Sequence, residues 1–313
     1  RSIQNQSFKD FELILVDDGS TDHSVEVCQK WANKYPDRIR VVKKENSGSL
    51  FTRRICLEES KGDYIYIMDS DDYLIDDNAF ATIKETILRE KCDFVFFNST
   101  TNSSTYERLF SFPFRDGEIF EDESLKVIRK YYLTNRGLKA LWNKVFHRSL
   151  VDWDADYTPY SEVTSGTDCF QSTPIISNAK KIVYIDKVLY FYRMNENSIV
   201  HTFKPTVYIS SKYNFIRMAE EAESWGIDNQ ELQVILAKHY MRLASTAAYK
   251  VRLMKGSKSE GIAFLRSIGE DELFKKYYSV SLTDSFARKI IVLLLHWEMY
   301  RLLFWDISLL AHR

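Results

Sequence analysis

The chain has 313 residues, 45% hydrophobic and 28% charged, with a formal net charge of −1. This is an ordinary globular composition, long enough for one large or two modest domains with ample core. It carries no basic excess to release phosphate counterions, which argues against nucleic-acid binding, and no apolar run long enough to span a bilayer.

Residues 11–16 read as an apolar strand ending on the acidic turn Asp17-Asp18-Gly19-Ser20-Thr21-Asp22. Asp22 or Ser24 can cap a helix running to about residue 35, with Val25, Cys28, Trp31, Ala32 and Tyr35 on one face. A short strand at 39–42, a loop at 45–49 and a helix over 50–60 follow, with Gly62 as a helix stop. Residues 64–68 form a second apolar strand, tipped by Asp69-Ser70-Asp71-Asp72. A helix over 78–90 and a strand over 93–98 complete a β-α-β-α-β-α-β succession, the pattern of a parallel sheet layered by helices.

Residues 99–135 mix polar and aromatic residues without a clear period and read as an insertion over the crevice at the strand ends. Short elements alternate from 137 to 200, including strands at 181–184 and 188–192. After Pro205 the segments 206–223, 229–253, 258–268 and 286–311 all look helical. Two domains are therefore expected, over 1–204 and 205–313.

Parallel strands share one carboxyl edge, so both acidic clusters should open into one crevice. Crowded carboxylates repel one another unless something positive sits among them. The simplest guest is a divalent cation carrying a phosphorylated ligand. Cys28, Cys56, Cys92 and Cys169 are scattered, without metal-ligand spacing; the first three sit in apolar patterns and read as buried thiols of a reducing compartment. With no secretory signal pattern visible, a cytoplasmic protein is expected.

The run from Glu12 to Asp22, followed by that from Lys61 to Leu74, resembles family 2 glycosyltransferases, inverting enzymes of the GT-A fold common in bacterial polysaccharide assembly. Asn46-Ser47-Gly48, Arg53, Trp142-Asn143-Lys144, Gly166-Thr167-Asp168 and Tyr190-Phe191-Tyr192-Arg193 with Asn197-Ser198 extend the resemblance over about two thirds of the chain. It implies an α/β, Rossmann-like, mostly parallel sheet with helices on both faces, followed by a helical region. Two departures stand out. The family's first strand and its Pro-x-Tyr-Asn loop have no counterpart here, which reads as an N-terminal truncation. Arg53-Arg54-Ile55-Cys56 stands where the family often has Arg-Asn-x-Gly.

The resemblance also implies roles. Asp18, with Asp17 beside it, would contact the uracil or ribose side of a nucleotide-sugar donor; the residues alone also fit an Asx turn closing a strand. Asp69 and Asp71 form an Asp-x-Asp element whose residues, two apart on an extended strand end, face the same way. Asp71 would ligate Mg²⁺ or Mn²⁺ directly, Asp69 would lie nearer the ribose, and Asp72 would support the turn. Asp168 would be the general base, though a carboxylate opening a helix is the plainer alternative. Arg53 and Arg193 would pair the diphosphate or form surface ion pairs. Lys144 would line the acceptor side, and His201 would be a metal or phosphate contact or a solvated histidine.

The apolar segment 286–313 must bury a broad face, either on the protein or in a membrane interface beside Arg288 and Lys289. The expected function is metal-dependent, inverting transfer from a UDP-sugar to a saccharide or lipid-linked hydroxyl. The place is the cytoplasm, with peripheral attachment to the inner face of the cytoplasmic membrane as an option. A sugar-phosphate nucleotidyltransferase and a non-catalytic truncated fragment stay open as alternatives.

Overall fold

A computed structural model of the chain describes residues 1–194 and 204–310, so the expectations for Asn197-Ser198, His201 and residues 311–313 lie outside the described residues. The chain divides into two compact units, Arg1–Ser161 with Thr167–Met194, and Glu162–Gly166 with Asn195–Arg313.

The first unit opens with a short helix, α1 (Ser2–Asn5), and then alternates β1 (Leu13–Asp17), α2 (Ser24–Lys34), β2 (Ile39–Lys43), α3 (Ser49–Glu59) and β3 (Tyr64–Tyr66). It continues through β4 (Tyr73–Leu74), α4 (Ala79–Glu90), β5 (Phe94–Thr100), β6 (Ile119–Glu121), α5 (Leu125–Thr134), β7 (Lys144–His147), α6 (Thr167–Asn178) and β8 (Lys181–Phe191). The α/β alternation read from the hydrophobic periods is therefore present. Its sheets are mixed. β1 and β2 pair in parallel on their own, and a six-stranded sheet runs β3-β7-β5-β8-β4 with β6 also on β8. Within it β5–β8 is parallel, whereas β3–β7, β5–β7, β4–β8 and β6–β8 are antiparallel.

The centre of this sheet is β5, whose four residues Phe94 to Phe97 are fully buried. Their side chains alternate across the sheet. Phe96 stacks on Tyr184 and meets Phe112 edge-on, while Val95 and Phe97 join Ile83, Trp142, Val183 and Tyr190 in the main apolar cluster. Much of the aromatic content is thus core. The N-terminal segment is docked through the buried Gln6, which donates to the Asp76 carbonyl (2.8 Å) and accepts from the Phe80 N–H (2.9 Å).

Two expectations need correcting in this unit. Residues 99–135 do not form a cover of irregular chain; they include β6 and α5, whose Leu125, Ile128, Tyr132 and Leu133 are buried at helical spacing. The two short strands expected at 181–184 and 188–192 are one strand, β8, because the polar Asp186-Lys187 step is absorbed as register irregularity against β5. All four cysteines are free thiols.

The second unit is helical: α7 (Pro205–Ala222), α8 (Asn229–Tyr249), α9 (Lys258–Gly269), α10 (Glu272–Tyr277), α11 (Phe286–His296) and α12 (Tyr300–Leu310). Its starts are chemically marked. Asp228 accepts from the Glu231 N–H, and Ser257 and Glu260 form a reciprocal capping box. Tyr240, Met241, Ala244, Leu265, Val292, Leu295 and Leu303 fill its core. The single helix expected over 286–311 is broken in two, because Glu298 adopts a left-handed conformation (φ 57°) and the Trp297 and Met299 amides turn back to Leu293 and Leu294. One face of this pair packs inward through Ile291, Val292, Leu295 and Leu303; Phe286, Trp297, Met299, Leu302 and Trp305 remain exposed. Among the described residues no helix is long and apolar enough to cross a membrane.

Candidate active site

The first acidic turn is closed by its own backbone. Asp17 ends β1 and its Oδ2 accepts from the Ser20 N–H at 3.2 Å, the Asx geometry that the residues allow. Gly19 sits at φ 77°, and a Cβ there would lie 2.9 Å from the Asn46 amide nitrogen, so the turn needs glycine for both reasons. Asp18 faces the start of α3: Oδ1 accepts from the Ser47 N–H at 2.9 Å and Oδ2 from the Gly48 N–H at 3.0 Å. Lys44 Nζ also binds Asp18 Oδ1, and the Asn46 side chain donates to the Asp18 carbonyl. Burial alone would raise the Asp18 carboxyl, but the hydrogen bonds from Lys44 and Ser47 outweigh it and hold it below the usual range. The Asn46-Ser47-Gly48 loop and Asp18 are therefore one structure, with a carboxylate at a helix N-terminus.

From that same helix end the second cluster is reached. Ser49 Oγ lies 2.9 Å from Thr167 Oγ1, and Arg53, one turn along α3, points its guanidinium between two carboxylates. Its Nη1 is 2.7 Å from Asp168 Oδ1 and donates to Thr167 Oγ1 at 2.7 Å; its Nη2 is 3.3 Å from Asp69 Oδ1. Burial opposes the charge on Arg53, yet Asp168 and Asp69 together raise its affinity for the proton. Asp69 is shifted upward too, which for a carboxylate disfavours the charged form. Burial pushes its carboxyl above the usual range against the pull of Arg53, and Asp168 and Asp71 add repulsion.

Asp168 stands in the first turn of α6, and its Oδ2 accepts from the Leu141 N–H at 3.2 Å. Asp71 is exposed beside Asp69. Asp72 supports the turn, as its position suggests: it is buried, its Oδ2 accepts from the Tyr190 hydroxyl at 2.5 Å and its Oδ1 from the Arg193 N–H at 2.8 Å. The Arg193 amide is thereby fixed at the end of β8, while its side chain is exposed.

Lys144 does not line an acceptor surface. It is 1% exposed, and its ammonium donates to the carbonyls of Leu138 (3.0 Å) and Ala140 and to Asn143 Oδ1 (3.0 Å). Burial pulls its pKa down to about 7, with Asp168 pulling the other way.

Ion pairs thus join Arg53, Asp69 and Asp168 in one cluster, hydrogen bonds tie Asp18 to the loop before α3 and close Asp17 onto Ser20, and Asp71 and Arg193 are left exposed. Among the described residues no three His, Cys, Asp or Glu side chains gather as a metal cage. Two carboxylates on one short segment, Asp69 and Asp71, instead fit an ion that arrives with phosphate oxygens and keeps part of its water shell. Sequence reasoning marks neither Lys44 nor the Leu141 amide, and it places Tyr190 in a motif without its bond to Asp72. Lys44, a cation shortly before the Asn46-Ser47-Gly48 motif, was visible as a signal; a backbone amide was not.

Residues 1–110 match the model of glycosyl transferase family 2. Glycosyltransferase GlyA of Streptococcus pneumoniae serotype 4 is 26% identical over 204 residues, covering 63% of this chain and 28% of that protein. The Bacillus subtilis (strain 168) protein EpsH is 26% identical over 213 residues, covering 67% of this chain and 60% of EpsH. The chain therefore spans less than two thirds of the length of either relative. Among solved structures, residues 1–349 of Staphylococcus aureus TarS in complex with UDP superpose with a TM-score of 0.67 at 18% identity, over 97% of this chain and 83% of that one. The same TarS segment has been solved in complex with UDP-GlcNAc (TM-score 0.65, 20% identity, 98% of this chain and 83% of that one). These likenesses establish a shared fold.

Proposed function

We propose, from the match of residues 1–110 to glycosyl transferase family 2 and the fold shared with TarS, that this chain moves a sugar from a nucleotide donor to an acceptor hydroxyl with inversion at the anomeric carbon. The observation that carries the reading is the convergence of Asp168 and Asp69 on Arg53. A carboxylate held at a helix start, 2.7 Å from a guanidinium and 3.2 Å from a backbone amide, is held in one orientation, as a general base requires.

In the proposed step Asp168 takes the proton of the acceptor hydroxyl while that oxygen attacks the anomeric carbon. The bond from that carbon to the donor phosphate breaks, and its electron pair leaves on the nucleoside diphosphate. A Mg²⁺ or Mn²⁺ ion on Asp71 and Asp69 would neutralise charge on that leaving group. Arg53 supplies a fixed positive charge between the leaving-group side and the base, and a diphosphate at Asp69 would compete with Asp168 for it. Arg193, exposed at the end of β8, has a free reach toward the same anion. Asp18 holds the loop against which the nucleoside would lie, and Asp17 closes the adjoining turn on Ser20. UDP is the proposed carrier, supported by the shared fold with TarS, whose solved complexes contain UDP and UDP-GlcNAc. The acceptor would be a saccharide or a lipid-linked saccharide.

Attachment to an anionic membrane surface belongs to the same reading. Exposed Phe286, Trp297, Met299, Leu302 and Trp305 lie beside Arg288, Lys289 and Arg301, and Lys258 Nζ sits 3.9 Å from the Trp305 ring centre. Aromatic and basic residues together suit the headgroup region.

The test is thermal denaturation with UDP, with and without Mn²⁺. Ligand at about 100 times its dissociation constant stabilises a fold by about 2.7 kcal/mol. Stabilisation that needs both components supports the donor site; a cooperative melt unmoved by either refutes it.

A further inference from the structure

The most unusual charged group outside the acidic cluster is Lys144. A lysine 1% exposed and without a carboxylate in contact needs a reason. Its surroundings supply one. Lys144 opens β7, and Asn143 before it is fully buried, its carbonyl accepting from the Phe97 N–H of β5 at 3.0 Å. The residue is therefore anchored to the centre of the sheet. From there its ammonium reaches back to the turn that precedes β7, binding the Leu138 carbonyl at 3.0 Å, the Ala140 carbonyl and Asn143 Oδ1 at 3.0 Å. Asn143 Nδ2 holds the Gly137 carbonyl of the same turn at 2.8 Å. On its other side the turn is bound by α6: Ser172 Oγ donates to the Lys139 carbonyl at 3.0 Å, one helical turn after Asp168. The free product of all this is one amide, the Leu141 N–H, aimed at Asp168 Oδ2 at 3.2 Å.

We infer that Lys144 is a positioning residue for Asp168: by gathering the carbonyls of the 137–141 turn it fixes the Leu141 amide that orients the carboxylate. This rests on the reading of Asp168 as the base. Three carbonyl-type acceptors crowded on one side of a turn would repel one another without a shared cation. The turn would then relax and the amide would leave the carboxylate. Arg53 holds Oδ1 and Leu141 holds Oδ2, so the two together set the direction of the remaining lone pairs toward an acceptor hydroxyl.

The test follows the Leu141 amide proton by NMR in the intact chain, which requires no substrate. An N–H bonded to a carboxylate resonates downfield. Asp168→Asn should move the Leu141 signal upfield, Lys144→Met should move it as far, and the double variant no further than either alone. A Leu141 signal unchanged in Lys144→Met, or shifts that add in the double variant, overturns the inference. Should Lys144→Met not melt cooperatively, Lys144→Gln is read by the same signal. In turnover, Lys144→Met should lower kcat roughly 10- to 100-fold at an unchanged donor KM; equal losses in both would mark a merely structural residue. The base assignment fails separately, if Asp168→Asn transfers sugar at the wild-type rate.

Discussion

The Arg53 guanidinium on α3 lies 2.7 Å from Asp168 Oδ1 on α6, residues 115 positions apart in the chain. That contact, extended by the 3.3 Å approach of the same group to Asp69, turns three scattered residues into one electrostatic unit. A like-charged pair of half-buried carboxylates is tolerable only with such a cation between them.

Replacing Asp168 by Asn keeps the shape and removes the basic oxygen. Transfer should fall by about 10²–10⁴-fold, the range for a positioned base, while UDP affinity measured by calorimetry stays within about twofold of wild type. Full turnover in this variant would remove Asp168 from the mechanism.

Arg53→Ala leaves Asp69 and Asp168 facing each other without compensation. Folding stability should drop by about 1.5–3 kcal/mol, the range for hydrogen bonds to charged groups. Adding Asp168→Asn should restore part of the loss, because one of the two repelling charges is gone. Chemical denaturation of the two variants at pH 7 decides it; an additive second loss would show that the carboxylates do not sense each other.

Lys144 makes the stability pH-dependent in a definite direction. Its ordinary value is 10.5 and burial lowers it to about 7 in the fold. Above pH 7 the unfolded chain still binds a proton that the folded chain is losing, so stability rises with pH. Folding free energy should climb from pH 7 to the thiol range near about 8.5, where the raised Cys56 and Cys92 begin to act in the opposite sense. Lys144→Met should flatten that climb. A slope identical to wild type would mean the lysine stays fully charged throughout.

Gly19→Ala forces a side chain into φ 77° and to within 2.9 Å of the Asn46 backbone. A loss of about 1–3 kcal/mol is expected from the strained conformation. UDP binding should weaken as well, because the Asn46–Gly48 loop that grips Asp18 is displaced. Thermal denaturation and UDP titration of one preparation measure both effects.

The exposed aromatic face of the second unit is tested by sedimentation with phosphatidylglycerol vesicles. Trp297→Ser with Trp305→Ser should cut the co-sedimenting fraction without lowering the melting temperature, since both rings are exposed and Leu295 and Leu303 carry the packing. Equal sedimentation of variant and wild type would refute membrane attachment through this face.

Local chemistry made much of the molecule legible from its order of residues. The strand and helix succession up to Glu90 apart from the short α1 and β4, the two acidic tips, the helical region from Pro205 and the supporting role of Asp72 all follow from period, turn residues and composition. α5 was hidden because aromatic and polar residues blur its period, although Leu125, Ile128, Tyr132 and Leu133 keep helical spacing. The break at Glu298 was hidden because neither glycine nor proline marks it.

What the sequence by itself determined is which side chains exist to do chemistry and on which strand or helix end each one rides, because those depend on neighbours a few positions away. The tertiary structure decided which charge meets which. It put Arg53 between Asp69 and Asp168, gave both Asp18 oxygens to the start of α3, and buried Lys144 among carbonyls where an exposed contact was expected. Electrostatic partnership is set by distances through space and by the loss of water around each pair, and neither quantity is carried by the spacing of residues along a chain.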